Sequence, residues 1–161
     1  MKLILLYNNE IIRLPKNVFD GLFNLTIINF DHNKIKYLDE NIFKGLEKVT
    51  EIRFAYNKIE KLPKGIFKGL NKLKSITLDS NQITKIDKFT FNDLENLERI
   101  HLASNLISEE RIELDFQDCV KFVSFKDNWS INNIDSIIRS VITTNYSNLK
   151  IIFNYLKKRK I

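Results

Sequence analysis

The sequence predicts an α/β solenoid. It is read as a right-handed superhelix whose successive turns each add one short strand to a single concave parallel sheet, with irregular or 3₁₀ turns on the convex side. Three observations predict it. Asparagine stands at Asn9, Asn33, Asn57, Asn81 and Asn105, always 24 residues apart. Apolar residues alternate ahead of each one: Ile4, Ile28, Ile52, Ile76 and Ile100 lie five before, and Leu6, Phe30, Phe54, Leu78 and Leu102 three before. A phenylalanine follows ten after, at Phe19, Phe43, Phe67 and Phe91. Self-similarity at a fixed period of a few tens of residues is the mark of a stacked repeat architecture.

Each element has a physical reason. Alternation with a period of two predicts strands of about five residues, one face in and one face out. The asparagine that follows carries both a donor and an acceptor. Placed at the turn after the strand, it can satisfy backbone groups of neighbouring coils that burial would otherwise orphan. The phenylalanines should stack into a spine on the convex side. One repeat buries little alone, whereas a stack makes a continuous core.

After Asn105 the register loosens. Val120, Val123, Phe125 and Asn128 repeat the offsets after a step of 23, and Tyr146, Leu149, Ile151 and Asn154 after a further step of 26, for about seven strands. Between them Ile131, Ile134, Ile137, Ile138, Val141 and Ile142 follow helical spacing, which predicts a capping helix over Trp129. The chain is therefore read as one domain over 1–161, with regular repeats over 1–107 and a divergent repeat, capping helix and last strand over 108–161.

The stretch LKSITLDSNQITKIDKFTFNDLEN fits L-x-x-L-x-L-x-x-N-x-L, and on those residues the sequence resembles the leucine-rich repeat. The repeat length and the Phe of FDGL, FKGL and FNDL resemble repeats common in animal extracellular proteins. The segment KDNWSINNIDSIIRSV resembles the closing region of some secreted insect leucine-rich repeat proteins, immune ones among them, although the cysteines usual there are absent. The resemblance implies that partners bind on the concave face.

Composition narrows the chemistry. The 161 residues carry a formal net charge of +6 and are 43% apolar and 29% charged, which suits a folded chain rather than a disordered one. The lone Cys119 excludes an intrachain disulfide framework and is read as a buried structural thiol. His32 and His101 fall three strand steps apart, roughly 14 Å, too far to share a metal. No phosphate loop, nucleophile elbow or zinc-protease motif occurs, so the chain is read as non-enzymatic, with no cofactor and no catalytic or metal site. The acidic run from Glu109 to Asp118 matches no calcium loop, and the basic tail Lys157 to Lys160 reads as solvated. No apolar run approaches the roughly 18 residues of a membrane span. The five-residue run LILLY is shorter than the roughly 7–15 residues of a signal core and reads as a strand. Three N-x-S/T sequons, at Asn24, Asn128 and Asn145, are about what so much Asn produces by chance. The compartment stays open, the repeat style alone favouring the outside.

Few residues of any interface carry its energy, and those are mostly aromatic or arginine. Among outward strand and rim positions this selects Arg53, Tyr56, Arg99, His101 and Phe122, with Asn9, Asn33, Asn57, Asn81, Asn105 and Asn128 as structural rungs. Mixed charge on that face points to a protein partner rather than nucleic acid. A sheet of about 29 Å by 16 Å offers about 460 Å², against about 800 Å² per partner in a standard interface. Loops, edges or further repeats would have to contribute. The first strand is read as a free edge, and three readings stay open: a piece of a longer protein, pairing with a partner or itself, or a tolerated edge. The functional expectation is a protein-recognition module. The alternatives are a secreted insect-type immune recognition factor, a self-pairing structural module, or a regulatory subunit.

Overall fold

The computed structural model describes residues 2–107, 122–124 and 150–151. Its strands are β1 (Leu3–Leu5), β2 (Ile27–Asn29), β3 (Glu51–Arg53), β4 (Ser75–Thr77), β5 (Arg99–His101), β6 (Phe122–Ser124) and β7 (Lys150–Ile151). They form one sheet in chain order, every neighbouring pair parallel. Leu3, Ile27, Glu51, Ser75 and Arg99 stand in one row, so the sequence period is the sheet register. The expected capping helix, Trp129, Cys119 and Asn128 lie outside the described residues.

Two sequence expectations are corrected. The regular strands are three residues long, or two in β7, not five. Backbone bonding nevertheless runs past them on both sides: Thr26 N–H donates to Lys2 O at 2.7 Å, Leu6 N–H to Asn29 O at 2.8 Å and Asn8 N–H to Asp31 O at 2.9 Å. The coils stay stacked while the chain turns out of strand conformation. The final step also differs. Aligning Leu149 with Val123 made it 26 residues, but Val123 pairs with Ile151 and Phe122 with Lys150, a step of 28. A slip of two leaves the in–out parity of a strand unchanged, so an apolar pattern alone cannot fix it.

The inward positions make the core. Ile28, Ile52, Ile76 and Ile100 form one buried row, and Phe30, Phe54, Leu78 and Leu102 the next. On the convex side Phe19, Phe43, Phe67 and Phe91 are buried and stack coil on coil, with centroids 6.1, 6.0 and 5.9 Å apart and rings within 12° of parallel. Phe30 meets Phe19 edge-on at 6.0 Å, and Phe54 meets Phe43 likewise. The convex chain itself is a run of short turns, with Val18 N–H bonded to Pro15 O, Asp20 to Asn17 and Leu22 to Phe19. One turn position needs a left-handed backbone in every coil. Gly21, Gly45 and Gly69 fill it with φ of 77°, 81° and 84°, and Asp93 fills it at 61°. A side chain is strained there.

The asparagines tie the coils together. Asn57 Nδ2 donates to Phe30 O of the preceding coil at 2.8 Å and to Phe54 O and Ala55 O of its own, while its Oδ1 accepts Ile35 N–H at 3.0 Å. Asn33 and Asn81 repeat this set, and Asn105 repeats it against Leu78 O and Ile83 N–H. Asn9 is exposed and bonds to Leu6 O and Tyr7 O within its own coil.

Candidate functional site: the concave face and its rim

Side chains of the sheet that point away from the core line the concave surface. Arg53 on β3 and Arg99 on β5 are exposed, two coils apart, about 9.6 Å along the sheet. Arg53 Nε pairs with Glu51 on its own strand. His101 on β5 places Nδ1 4.0 Å from Asp79 Oδ2. Phe122 opens β6 beside Arg99 in the register.

The rim is built by strained backbone. The residue before each rung asparagine, Asn8, His32, Tyr56, Ser80 and Ser104, has φ between 52° and 56°. Left-handed backbone is costly for any residue with a Cβ, most of all a bulky one. Here it turns the chain out of the sheet and throws the side chain onto the rim. Tyr56, 55% exposed, stacks flat on His32 of the preceding coil with centroids 4.3 Å apart and rings 7° from parallel. The φ recurs in every coil and belongs to the repeat; what is particular here is two aromatic rings at that offset on adjacent coils. Sequence reading selected Tyr56 and left its partner His32 aside; the shared offset of the two aromatic residues was the available signal.

Sequence reading put Asp31 and Asp79 among the outward strand positions without selecting them; they occupy the same offset two coils apart. Asp31 Oδ1 accepts Ala55 N–H and Asp79 Oδ1 accepts Ala103 N–H, each at 2.7 Å. Between them Ala55 is buried. Burial pushes both carboxyls above the usual range, more than their backbone bonds to Ala55 and Ala103 pull them down. The folded state therefore holds these protons at a pH where the unfolded chain has released them. Stability falls as pH rises from the ordinary carboxylate range through the raised one. Asp79→Asn keeps an oxygen for Ala103 and removes the charge. It should be more stable than the parent at neutral pH, with the gap closing at acid pH, as read by urea unfolding at both.

A stacked parallel sheet, an asparagine ladder and a solvent-facing concave surface define a leucine-rich repeat solenoid. Residues 12–138 match the family model described as BspA type leucine rich repeat region, in six copies. The chain belongs to that family. No curated protein matches it by sequence. Among solved structures it is similar to the leucine-rich repeat domain of APL1, with a TM-score of 0.70 at 21% identity over 79% of this chain and 33% of that one. It is similar to TLR13 in the TLR13–ssRNA13 complex, with a TM-score of 0.68 at 34% identity over 74% of this chain and 17% of that one. An internalin from Listeria monocytogenes gives 0.67 at 20% identity over 94% of this chain and 40% of that one. The chain thus spans less than half the length of each. Domains of this family and fold are generally non-enzymatic recognition modules.

Among the described residues no group of His, Cys, Asp and Glu could hold a metal ion, and no helix is long and apolar enough to cross a membrane.

Proposed function

We propose that the chain recognises a protein partner through the concave face, with Tyr56 and His32 as its aromatic anchor and Arg53, Arg99, His101 and Phe122 around it. The stacked pair on strained backbone is the observation that carries this reading. It presents a rigid apolar plate beside charged groups, the composition favoured at binding hot spots. Asp31 and Asp79 support it, because half-buried carboxylates on an open face weaken folding and offer charge to a partner.

The test is binding of the partner found by affinity capture from native extract, titrated against the parent and two variants. Arg53→Glu with Arg99→Glu, and separately Tyr56→Ala, should each weaken affinity about thirtyfold, the scale of a hot-spot loss. Unchanged affinity with an unchanged unfolding curve would discard the concave face. A secreted immune recognition factor is a narrower form of the same reading, favoured by the likeness to TLR13. Recovery of the native protein from the cytosol alone would rule it out. The exposed Leu3, Leu5, Leu6 and Tyr7 around β1 favour a second reading, edge-to-edge self-pairing. A strict monomer at high concentration would end it.

A further inference from the structure

The positive charge of this protein is not spread evenly over the solenoid. The chain leaving each rung asparagine forms a lateral flank, and its coils are bonded to one another: Lys34 N–H to Ile11 O at 2.8 Å, Lys58 to Ile35 at 2.9 Å, Gln82 to Ile59 at 2.9 Å and Leu106 to Ile83 at 2.9 Å. Ile35, Ile59 and Ile83 point inward and are buried, so the residues one and three after each asparagine point outward by alternation, and those four after, Arg13, Tyr37, Lys61 and Lys85, are exposed as the chain turns. Arg13, Lys34, Lys36, Lys58, Lys61 and Lys85 occupy these positions on four adjacent coils. Among the described residues two carboxylates share the flank. Glu10 is 2.7 Å from Lys34 and Glu60 is 3.0 Å from Lys36.

Other surfaces mix their charges. The concave face sets Arg53 and Arg99 against Glu51, Asp31 and Asp79, and on the convex turns Lys16 lies 3.6 Å from Asp39. The flank is thus a basic strip, about 4.8 Å from coil to coil at the sheet. Two cavities lie on the convex turns, one between Glu40 and Gly69 and one between Lys16 and Lys44, away from this flank. Five of the six cations are lysine, a hydrated point charge suited to diffuse attraction rather than to forked recognition of one group. Two apolar side chains stand among them: Ile12, and Tyr37 with the Lys36 ammonium 5.2 Å from its ring centre.

We propose that this flank docks on an anionic phospholipid surface, the lysines lying over the headgroups while Ile12 and Tyr37 reach between them. Charge complementarity and protruding apolar tips together favour a membrane over a soluble polyanion. The concave face would remain free for a partner, so the two surfaces can be tested apart.

The experiment is co-sedimentation of the full chain with phosphatidylcholine vesicles and with the same vesicles containing phosphatidylserine. Binding should require phosphatidylserine and fall with added salt. Lys58→Glu, Lys61→Glu and Lys85→Glu combined should weaken it about a hundredfold or more, since each cation near such a surface is worth about a fivefold change. Lys44→Glu, Lys68→Glu and Lys72→Glu combined change net charge equally off the flank and should cost far less. The basic tail is present in both, so their difference reports the flank. Both variants are first checked for the parent's unfolding curve, and Lys61→Gln with Lys85→Gln serves if the triple reversal fails to fold. No preference for phosphatidylserine, equal losses in the two triple variants, or binding to polyglutamate or an oligonucleotide with none to vesicles would each overturn the proposal.

Discussion

Asn57→Ala is expected to cost about 3 kcal/mol, while the same change at Asn9 costs under about 1 kcal/mol. Each buried backbone group left without a partner costs about 1–3 kcal/mol. Truncating Asn57 strands Ile35 N–H in the preceding coil and removes one of the two bonds to Phe30 O, the other coming from Asn33. It also removes the bonds to Phe54 O and Ala55 O. Such a loss is a large fraction of the stability of a small domain, about 5–15 kcal/mol. Asn9 bonds only within its own coil and is exposed, so water replaces what alanine removes. Asn57→Asp should be nearly as damaging as alanine, because a carboxylate donates nothing and would be buried as a charge. Urea unfolding of the three variants against the parent checks the ranking. Equal costs at Asn57 and Asn9 would show that the ladder does not bear on stability.

Phe67→Ala should cost about 3–5 kcal/mol, the range for deleting a buried aromatic ring. Its ring is sandwiched between Phe43 at 6.0 Å and Phe91 at 5.9 Å, in the interior of the spine. The coils above and below are held apart by their own backbone ladders, so the space left by the ring cannot close readily, and the cavity term applies in full. Phe67→Leu keeps most of the volume and should recover more than half of the loss. Phe89, one coil on and about half exposed, holds its ring near the Lys64 and Lys88 ammonium groups, and Phe89→Ala should change stability by less than about 1 kcal/mol. Thermal and urea unfolding measure all three. A loss at Phe89 comparable to that at Phe67 would contradict the spine as the convex core.

The basis of both predictions was legible in the residues. A spacing of 24 between asparagines, with isoleucine and phenylalanine at constant offsets, leaves few folds that bury all those side chains at once. A parallel stack brings every equivalent position into contact with its own kind, as the rows Ile28–Ile52–Ile76 and Phe43–Phe67–Phe91 show. The candidate site was less legible. Arg53, Tyr56, Arg99 and His101 could be placed on the concave side because parity along a strand is local. What each touches there could not, since those contacts reach across coils and depend on rotamers. Strand length and the 28-residue last step escaped for a related reason: hydrophobic alternation specifies which side faces in, not where bonding stops or how long a divergent loop is.

The division is therefore between what repeats and what meets. The sequence by itself determined the stacked solenoid, the identity of its core rows and the rungs, because these follow from a periodic pattern that only one arrangement can bury. Tertiary structure alone decided that His32 lies flat under Tyr56 and that Asp31 and Asp79 bond across to Ala55 and Ala103. Those features arise where one coil lies against the next, at a distance and rotation set by backbone hydrogen bonds between segments about 24 residues apart.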